Sequence, residues 1–411
     1  MARPTEKVEL GFDLTGNNTG PYFRLDDATA GVLDNTAFSL GGTLFYDVSA
    51  FVKGFTTRRG KSRQLDRFNT GQASVVFDNN ARTFDPEYIS SPYYGQIIPR
   101  REIRITSGGV VTYFGSVDDW NLYYEPNGDN LSEAVCSDAL RILANQTLSA
   151  FTNVAQQSGE RVSAILSRFE INWGIDARQI DVGRQRLGAD VVDAGTNALS
   201  YLQTVEASEP GSLFIGKSGK VTFKDRAVAP TSSVSILSDE SSGISYQGMK
   251  VVYGSELLYN DINITTIITG NTSTAGDALS QGIYGNLTLS EGNLLMESDA
   301  DALELAQWYS TLYGNPEFRF ESVEVILNDL STDAQTEILD LELGSVVKVI
   351  FTPGNPAQSP AITKFAEVIR LDNLVDSQFH KVSIGFSTLD TAFFVLNDTE
   401  FGRLNTGALG F

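Results

Sequence analysis

The sequence predicts a mainly β protein with an inserted α+β segment. Alternating apolar and polar runs recur on both sides of a central stretch and close on glycine-containing turns, as where Ile103 and Ile105 alternate with Arg104 and Thr106 before Ser107-Gly108-Gly109. The 37 glycines favour strands and turns over helices. Helical spacing of apolar residues concentrates in the middle of the chain. A chain of 411 residues is too long for one hydrophobic core. The order divides it into a β-barrel or sandwich-like domain at 1–137, an α+β domain at 138–230, a second sheet domain with one helix at 231–396 and a tail at 397–411.

Residues 1–30 read as loop with short strands, and Gly41 to Val52 begins the first sheet. A basic loop leads to a strand at Ala73 to Phe77. The hairpin Glu102 to Val117 follows. A further strand, Asp119 to Tyr124, turns at Pro126-Asn127-Gly128-Asp129 into Leu131 to Val135 and completes a meander. Leu140, Leu143 and Ala144 mark a short helical stripe within Asp138 to Leu148. Val162, Ile165, Leu166 and Phe169 show the spacing of an amphipathic helix over Gly159 to Trp173. Thr196 to Ser208 is a third helix, with Leu199, Leu202 and Val205 inward, and Leu213 to Phe223 is a hairpin turning at Lys217-Ser218-Gly219. Ala227 to Ser233 reads as a linker.

Ile244 to Tyr253 and Asn260 to Thr269 are expected to pair with each other around Gly254 to Tyr259, and Asn271 to Asn286 is expected to be an exposed polar loop. A helix starts at Ser298, where Ser298 and Asp301 fit a capping pair and Asp299 suits the positive helix end. Leu305, Trp308, Tyr309 and Leu312 give it an apolar face, and Gly314 and Pro316 stop it. Strands are expected at Phe318 to Leu327, Ser345 to Thr352, Phe365 to Leu371 and Phe379 to Phe386, with a loop at Gly354-Asn355-Pro356.

Composition limits function. Net charge is -21, with a pI near 4.4, which opposes wrapping of nucleic acid and docking on anionic lipid. A surface that nucleic acid slides past remains compatible with that charge. The single cysteine, Cys136, permits no disulfide within the chain and reads as a small core residue. The start, MARPTEKVELGFDL, lacks the apolar stretch of a signal peptide, and no apolar run approaches the roughly 18 residues that span a bilayer. The single histidine, His380, rules out a multi-histidine metal site and reads as half-buried or at a strand edge, on one face with Val382 and Ile384. Gly60-Lys61-Ser62 lacks the upstream glycine and strand of a phosphate loop. Asp118 with Asp119, and Glu206 with Glu209, are the candidate carboxylate pairs, but 51 acidic residues produce such pairs by chance. Asp78-Asn79-Asn80-Ala81-Arg82-Thr83 lacks the calcium-loop order and is read as a turn capped by side-chain oxygens. No cofactor or metal is expected.

The most informative stretch runs from Arg58 to Arg101. It gathers Arg58, Arg59, Lys61, Arg63 and Arg67 in an acidic chain, then continues through a strand into a loop rich in Asp, Asn, Ser and Pro. A cation cluster of this kind is either a solvated face or a surface for the acidic face of an identical neighbour. It has little aromatic interleaving for nucleic acid. The order Arg63, Leu65, Asp66, Phe68, Gly71, then Phe77-Asp78-Asn79, Arg82, Phe84-Asp85-Pro86 and Ser91-Pro92-Tyr93 resembles minor tail proteins of long-tailed bacteriophages, which build the hub at the tail tip. Asn197 to Leu202 with Glu209-Pro210-Gly211, Phe214 to Arg226, Ile244-Ser245-Tyr246, Val252-Tyr253-Gly254 and Ala306-Gln307-Trp308-Tyr309 extend the resemblance over most of residues 40–395.

The resemblance implies a baseplate-hub-like fold with two β-barrel domains of tail-tube type and a smaller α+β domain between them. It implies a homotrimer in the virion, at the tail tip, made in the host cytoplasm. Its implied partners are the distal tail protein ring, the end of the tape-measure protein and central fibre or receptor-binding proteins, with DNA only as passing cargo and no stable membrane binding. It implies a structural role in closing or gating the tube for DNA ejection, not an enzyme. The five cations are the candidate subunit interface. The alternatives are a carbohydrate-binding module using Trp120, Tyr123 and Tyr124 and, more weakly, a polysaccharide-degrading enzyme.

Overall fold

The computed structural model describes residues 3–12, 44–126, 128–226, 234–240, 243–354 and 361–388. The mainly β expectation holds, with 43% strand against 19% helix. The first part comprises β1 (Glu6–Phe12), β2 (Leu44–Asp47), β3 (Val52–Gly60), β4 (Asn69–Asp78), β5 (Glu102–Ser107), β6 (Val110–Tyr123) and β7 (Leu131–Ser137). They lie in the order β3-β4-β7-β6-β5-β1-β2, and every neighbouring pair is antiparallel. The β5–β6 turn needs its glycines, since Gly108 and Gly109 have φ of 56° and 86°. β6 is one strand where two were expected. A bulge between Val117 and Asp119 absorbs the break in alternation without ending the ladder. Val8, Leu10, Phe77, Phe84, Ile103, Ile105 and Tyr113 are fully buried in this part's core.

The inserted segment holds α1 (Leu140–Ala144), α2 (Ser158–Leu166), α3 (Ala198–Ser208) and the hairpin Ser212–Ile215/Val221–Lys224. Leu143, Val162, Ile165, Leu202, Val205 and Phe223 form its core. Asn197 caps α3 by accepting from the Ser200 N–H at 3.0 Å. α2 ends before the expected Phe169, which is 82% exposed. Arg178 explains the stop: its guanidinium donates to the terminal carbonyls of Ser163 at 3.1 Å and Leu166 at 3.2 Å.

Gly248–Tyr253 and Asp261–Thr266 do not pair with each other, which corrects the expectation. The first pairs with Phe318–Ile326, whereas the second is the centre of a separate sheet between Thr272–Gly276 and Thr288–Leu294. The expected polar loop at Asn271 to Asn286 is also corrected: it supplies the strand Thr272–Gly276 and the helix α4 (Ala278–Tyr284). α4 hides from periodicity because its polarity is inverted, with Ser280 buried and Leu279 and Ile283 exposed at 82% and 72%. The buried Asn260 side chain holds it down by donating to Ser280 Oγ at 3.1 Å and the Gly285 carbonyl at 2.8 Å.

α5 (Asp299–Tyr313) starts as expected, with Ser298 Oγ accepting from the Asp301 N–H. Its inner residues Ala302, Leu305, Ala306, Tyr309 and Tyr313 close a separate core with Ile262 and Ile264. α6 (Thr332–Asp340) was not expected. The strands Phe318–Ile326, Val346–Phe351, Ile362–Val375 and His380–Thr388 match the four expected in this region. Ile362–Val375 pairs with both His380–Thr388 and β3. One 13-stranded sheet therefore runs from Gly248–Tyr253 through to β2 and joins the two β-rich parts. The expected N-terminal loop at 13–30, the linker at 227–233, the loop from Asn355 and the tail at 397–411 lie outside the described residues.

Phe84 is fully buried and stacks on Phe77 at 4.4 Å between ring centroids. Phe84→Ala should destabilise by about 3–5 kcal/mol. Phe169→Ala, at an exposed position, should change stability by less than about 0.5 kcal/mol. Denaturant midpoints with unchanged m values would verify the contrast.

Candidate interaction site

The basic segment begins as strand and only then becomes loop. Phe55, Thr57 and Arg59 alternate inward on β3, while Thr56 and Arg58 face outward. Arg59 is thus not a surface cation, as the sequence reading had it, but is only 5% exposed. Its Nη2 donates to Glu342 Oε1 at 2.6 Å and to the Ile215 carbonyl at 2.9 Å. Glu342 in turn accepts from the Lys217 N–H at 2.7 Å and its neighbour Leu343 N–H at 2.9 Å. Lys217 Nζ reaches the Leu339 and Asp340 carbonyls at 3.0 and 2.9 Å, where a cation suits the negative end of α6. Burial lowers the Lys217 pKa against the raising influence of Asp340 and Glu342. This junction ties β3, the inserted hairpin and the α6 exit together.

At Gly60, φ is 113°, and a Cβ there would stand 2.1 Å from the Ile369 carbonyl oxygen. Only glycine lets β3 lie against the neighbouring strand at this point. The chain then threads between cores. Lys61 sits 4.9 Å over the Phe68 ring. Arg63 pairs with Glu256 at 3.1 Å, both well exposed. Leu65 packs on the core that α5 closes with Ile262 and Ile264. Arg67 donates to Gln203 Oε1 at 3.4 Å. Phe68 packs on Phe214 at 5.3 Å. Arg58, Arg63 and Arg67 remain exposed, and Lys61 is half-buried.

Carboxylates from distant parts of the chain converge on this segment, and burial dominates their titration. Burial pushes Asp138 up to about 7, although it accepts from the Gly71 N–H at 2.7 Å and the Leu140 N–H at 3.0 Å and lies near Arg59. Burial likewise pushes Glu206 up to about 7, against the Leu213 N–H at 2.9 Å and the charges of Lys61 and Arg67. Glu367 beside Lys61 and Lys224, Glu291 beside Arg67, and Asp372 beside Arg370 and Arg58 are also raised by burial and held back by these cations.

The other sequence candidates are occupied structurally. His380 is fully buried, not at an edge, with its ring nitrogens 2.9 Å from Glu6 Oε1 and 2.9 Å from Asn373 Oδ1. Cys136 is buried, as expected. Glu206 and Glu209 do not share a cleft. Glu206 turns to Leu213, whereas the buried Glu209 accepts from Ser158 Oγ and the Arg184 N–H. Asp118 pairs with Arg141, and Asp119 is exposed. Asp78, Asn79 and Asn80 accept from the backbone N–H groups of Asn80, Phe84 and Asn130, which makes the turn. Trp120 is not an exposed platform. It is half-buried, stacks on Phe84 at 6.2 Å and donates to the Ile98 carbonyl at 3.2 Å, so only Tyr123 and Tyr124 stay half-exposed.

Glu342, Asp138 and Lys217 were missed by sequence reasoning, because their partners lie far along the chain and carry no local pattern. Arg59 was legible in principle, since Phe55-x-Thr57-x-Arg59 has strand alternation.

No protein-family model matches the sequence, and no curated protein matches it either. Solved structures do. A 43 kDa tail protein of prophage MuSo2 from Shewanella oneidensis is 12% identical with a TM-score of 0.58, over 93% of this chain and 98% of its own. A tail protein from Neisseria meningitidis MC58 is 9% identical with a TM-score of 0.59, over 94% and 97%. The chain has the tail-protein fold. That fold spans nearly the whole of all three chains.

Two outcomes test the site. Arg59→Met leaves Glu342 half-buried without its cation and should destabilise by about 3–5 kcal/mol, whereas Arg63→Ala removes an exposed pair and should cost less than about 1 kcal/mol. For Glu206 the folded state holds its proton more tightly than the unfolded state, so its stabilising contribution is present near pH 4 and is lost as pH rises through about 7. Glu206→Gln keeps the Leu213 acceptor without the charge. It should raise stability at pH 8, by on the order of 2 kcal/mol, and leave it unchanged at pH 5. Thermal melts at the two pH values check this.

Proposed function

We propose that this chain is a structural subunit of a phage tail tip, a homotrimeric hub that joins the distal tail ring to central fibre or receptor-binding parts. The observation that carries the reading is the tail-protein fold over 93–94% of the chain, with one sheet running through both β-rich parts. In this reading the divisions at 1–137, 138–230 and 231–396 are two tube-type β units around an α+β unit, so three copies present six such units to a six-fold tube. The hub meets the end of the tape-measure protein and closes or gates the lumen for DNA ejection. DNA only passes through it, along a wall kept from sticking by the -21 net charge. Its place is the virion tail tip after synthesis in the host cytoplasm, and its work is assembly rather than catalysis.

The subunit interface is assigned to Arg58, Lys61, Arg63 and Arg67. Arg59 is left out because its guanidinium is engaged inside the chain. The carbohydrate-binding alternative is weakened by the packing of Trp120.

Light scattering over a concentration series tests the trimer. The expected native mass is three times 44.7 kDa, and a mass that stays at 44.7 kDa at every concentration overturns the trimeric reading.

A further inference from the structure

Among the described residues Arg58 and Arg67 make no close ion pair, although Asp372 lies near Arg58, and Glu206 and Glu291 lie near Arg67. Arg58 donates to Ser62 Oγ at 3.3 Å and Arg67 to Gln203 Oε1 at 3.4 Å, both neutral acceptors. Arg63 has a carboxylate, Glu256, but both side chains are more than half exposed, so the pair is weak. In a chain with 51 acidic and 30 basic residues, three exposed arginines in so short a stretch suit an anionic surface.

The complementary surface is on α6. Its inner side, Gln335, Ile338 and Leu339, is buried, and its outer side carries Asp333, Glu337 and Asp340 with no basic residue in the helix. Lys217 pairs with Asp340. Asp333 lies in the first turn, where the helix dipole favours an anion. Glu337 lies toward the opposite end, where the dipole opposes it, and among the described residues it has no ion-pair partner. An acid left in an unfavourable position is the kind of local conflict that an external cation resolves.

Arg58 and α6 sit on opposite faces of the sheet. Arg59 reaches Glu342 just past α6, and its cross-strand neighbour Leu371 shares a core with Ile338 and Leu339. Arg58, one residue away on β3, points to the other face beside its own neighbour Asp372. A single copy thus cannot bring Arg58 onto its own α6.

We propose that Arg58, Arg63 and Arg67 of one copy dock on Asp333 and Glu337 of α6 in a second copy of this chain. The inference rests on the trimer reading and names its contact. Different patches meet on the two copies, so the contact is heterologous and closes into a ring when its rotation allows. Concentrating the cations at the contact also overcomes the repulsion between two strongly acidic chains and selects their register.

The test is charge exchange in the full chain, read by sedimentation over a concentration series at low and high salt. Arg63→Glu with Arg67→Glu, and separately Asp333→Arg with Glu337→Arg, should each weaken assembly by roughly tenfold or more, and high salt should weaken the wild type. The variant carrying all four substitutions should recover assembly, a result that misfolding of either pair does not produce. If the wild type assembles and the fourfold variant stays as weak as the paired ones, or if neither pair weakens assembly, this contact is overturned while the trimer stands. A wild type that is monomeric throughout overturns the trimer and the contact together.

Discussion

The antiparallel pairing of β3 with Ile362–Val375 is the constraint on which the rest of this architecture depends. It joins segments more than 300 residues apart and turns two sets of strands into one sheet. Loop-closure entropy grows only as the logarithm of length, about 0.6 kcal/mol per doubling, so a long-range ladder is thermodynamically affordable. Around it stand the features that fit no other arrangement. Gly60 makes room for the Ile369 carbonyl, Asn373 donates to Thr57 Oγ1 at 3.1 Å, and Arg59 reaches Glu342.

The basic segment is informative for a different reason than its composition implies. Its five cations are not equivalent: strand alternation sends Arg59 inward to a three-way junction and Arg58 outward, and Arg63 and Arg67 are exposed on the loop that follows. Acids gather around it from α3, the strand Thr288–Leu294 and the strand Ile362–Val375, yet burial keeps their protons on more firmly than in water. Burial and the nearby cations therefore pull these carboxyls in opposite directions along the whole segment. Arg58, Arg63 and Arg67 stand at the exposed rim of an otherwise acidic molecule.

Local pattern was legible in the sequence, and distant partnership was not. The β5–β6 turn, the α3 helix and the Ser298 cap all rest on contacts within a few residues, so their residue types announced them. The pairing of Gly248–Tyr253 with Phe318–Ile326 was misread because nearness in sequence was the only guide to a partner. α4 was misread because Asn260 holds its polar side inward, which reverses the usual pattern. At the candidate site the cluster of cations was visible, whereas Glu342, which decides what Arg59 does, is 283 residues away from it.

His380 and Glu6 meet across 374 residues, inside the protein and close to the first and last described strands. Arg3 also reaches the Asp376 carbonyl beside the same turn. A chain stitched in this way behaves mechanically as a closed hoop. Tension applied near β1 is shared between its ladders to β2 and β5 and the side-chain contacts that reach His380 and Asp376. Peeling from either side must open a sealed polar contact before any ladder is drawn out, so the part of the molecule that would otherwise fray first under pull is the part that is locked.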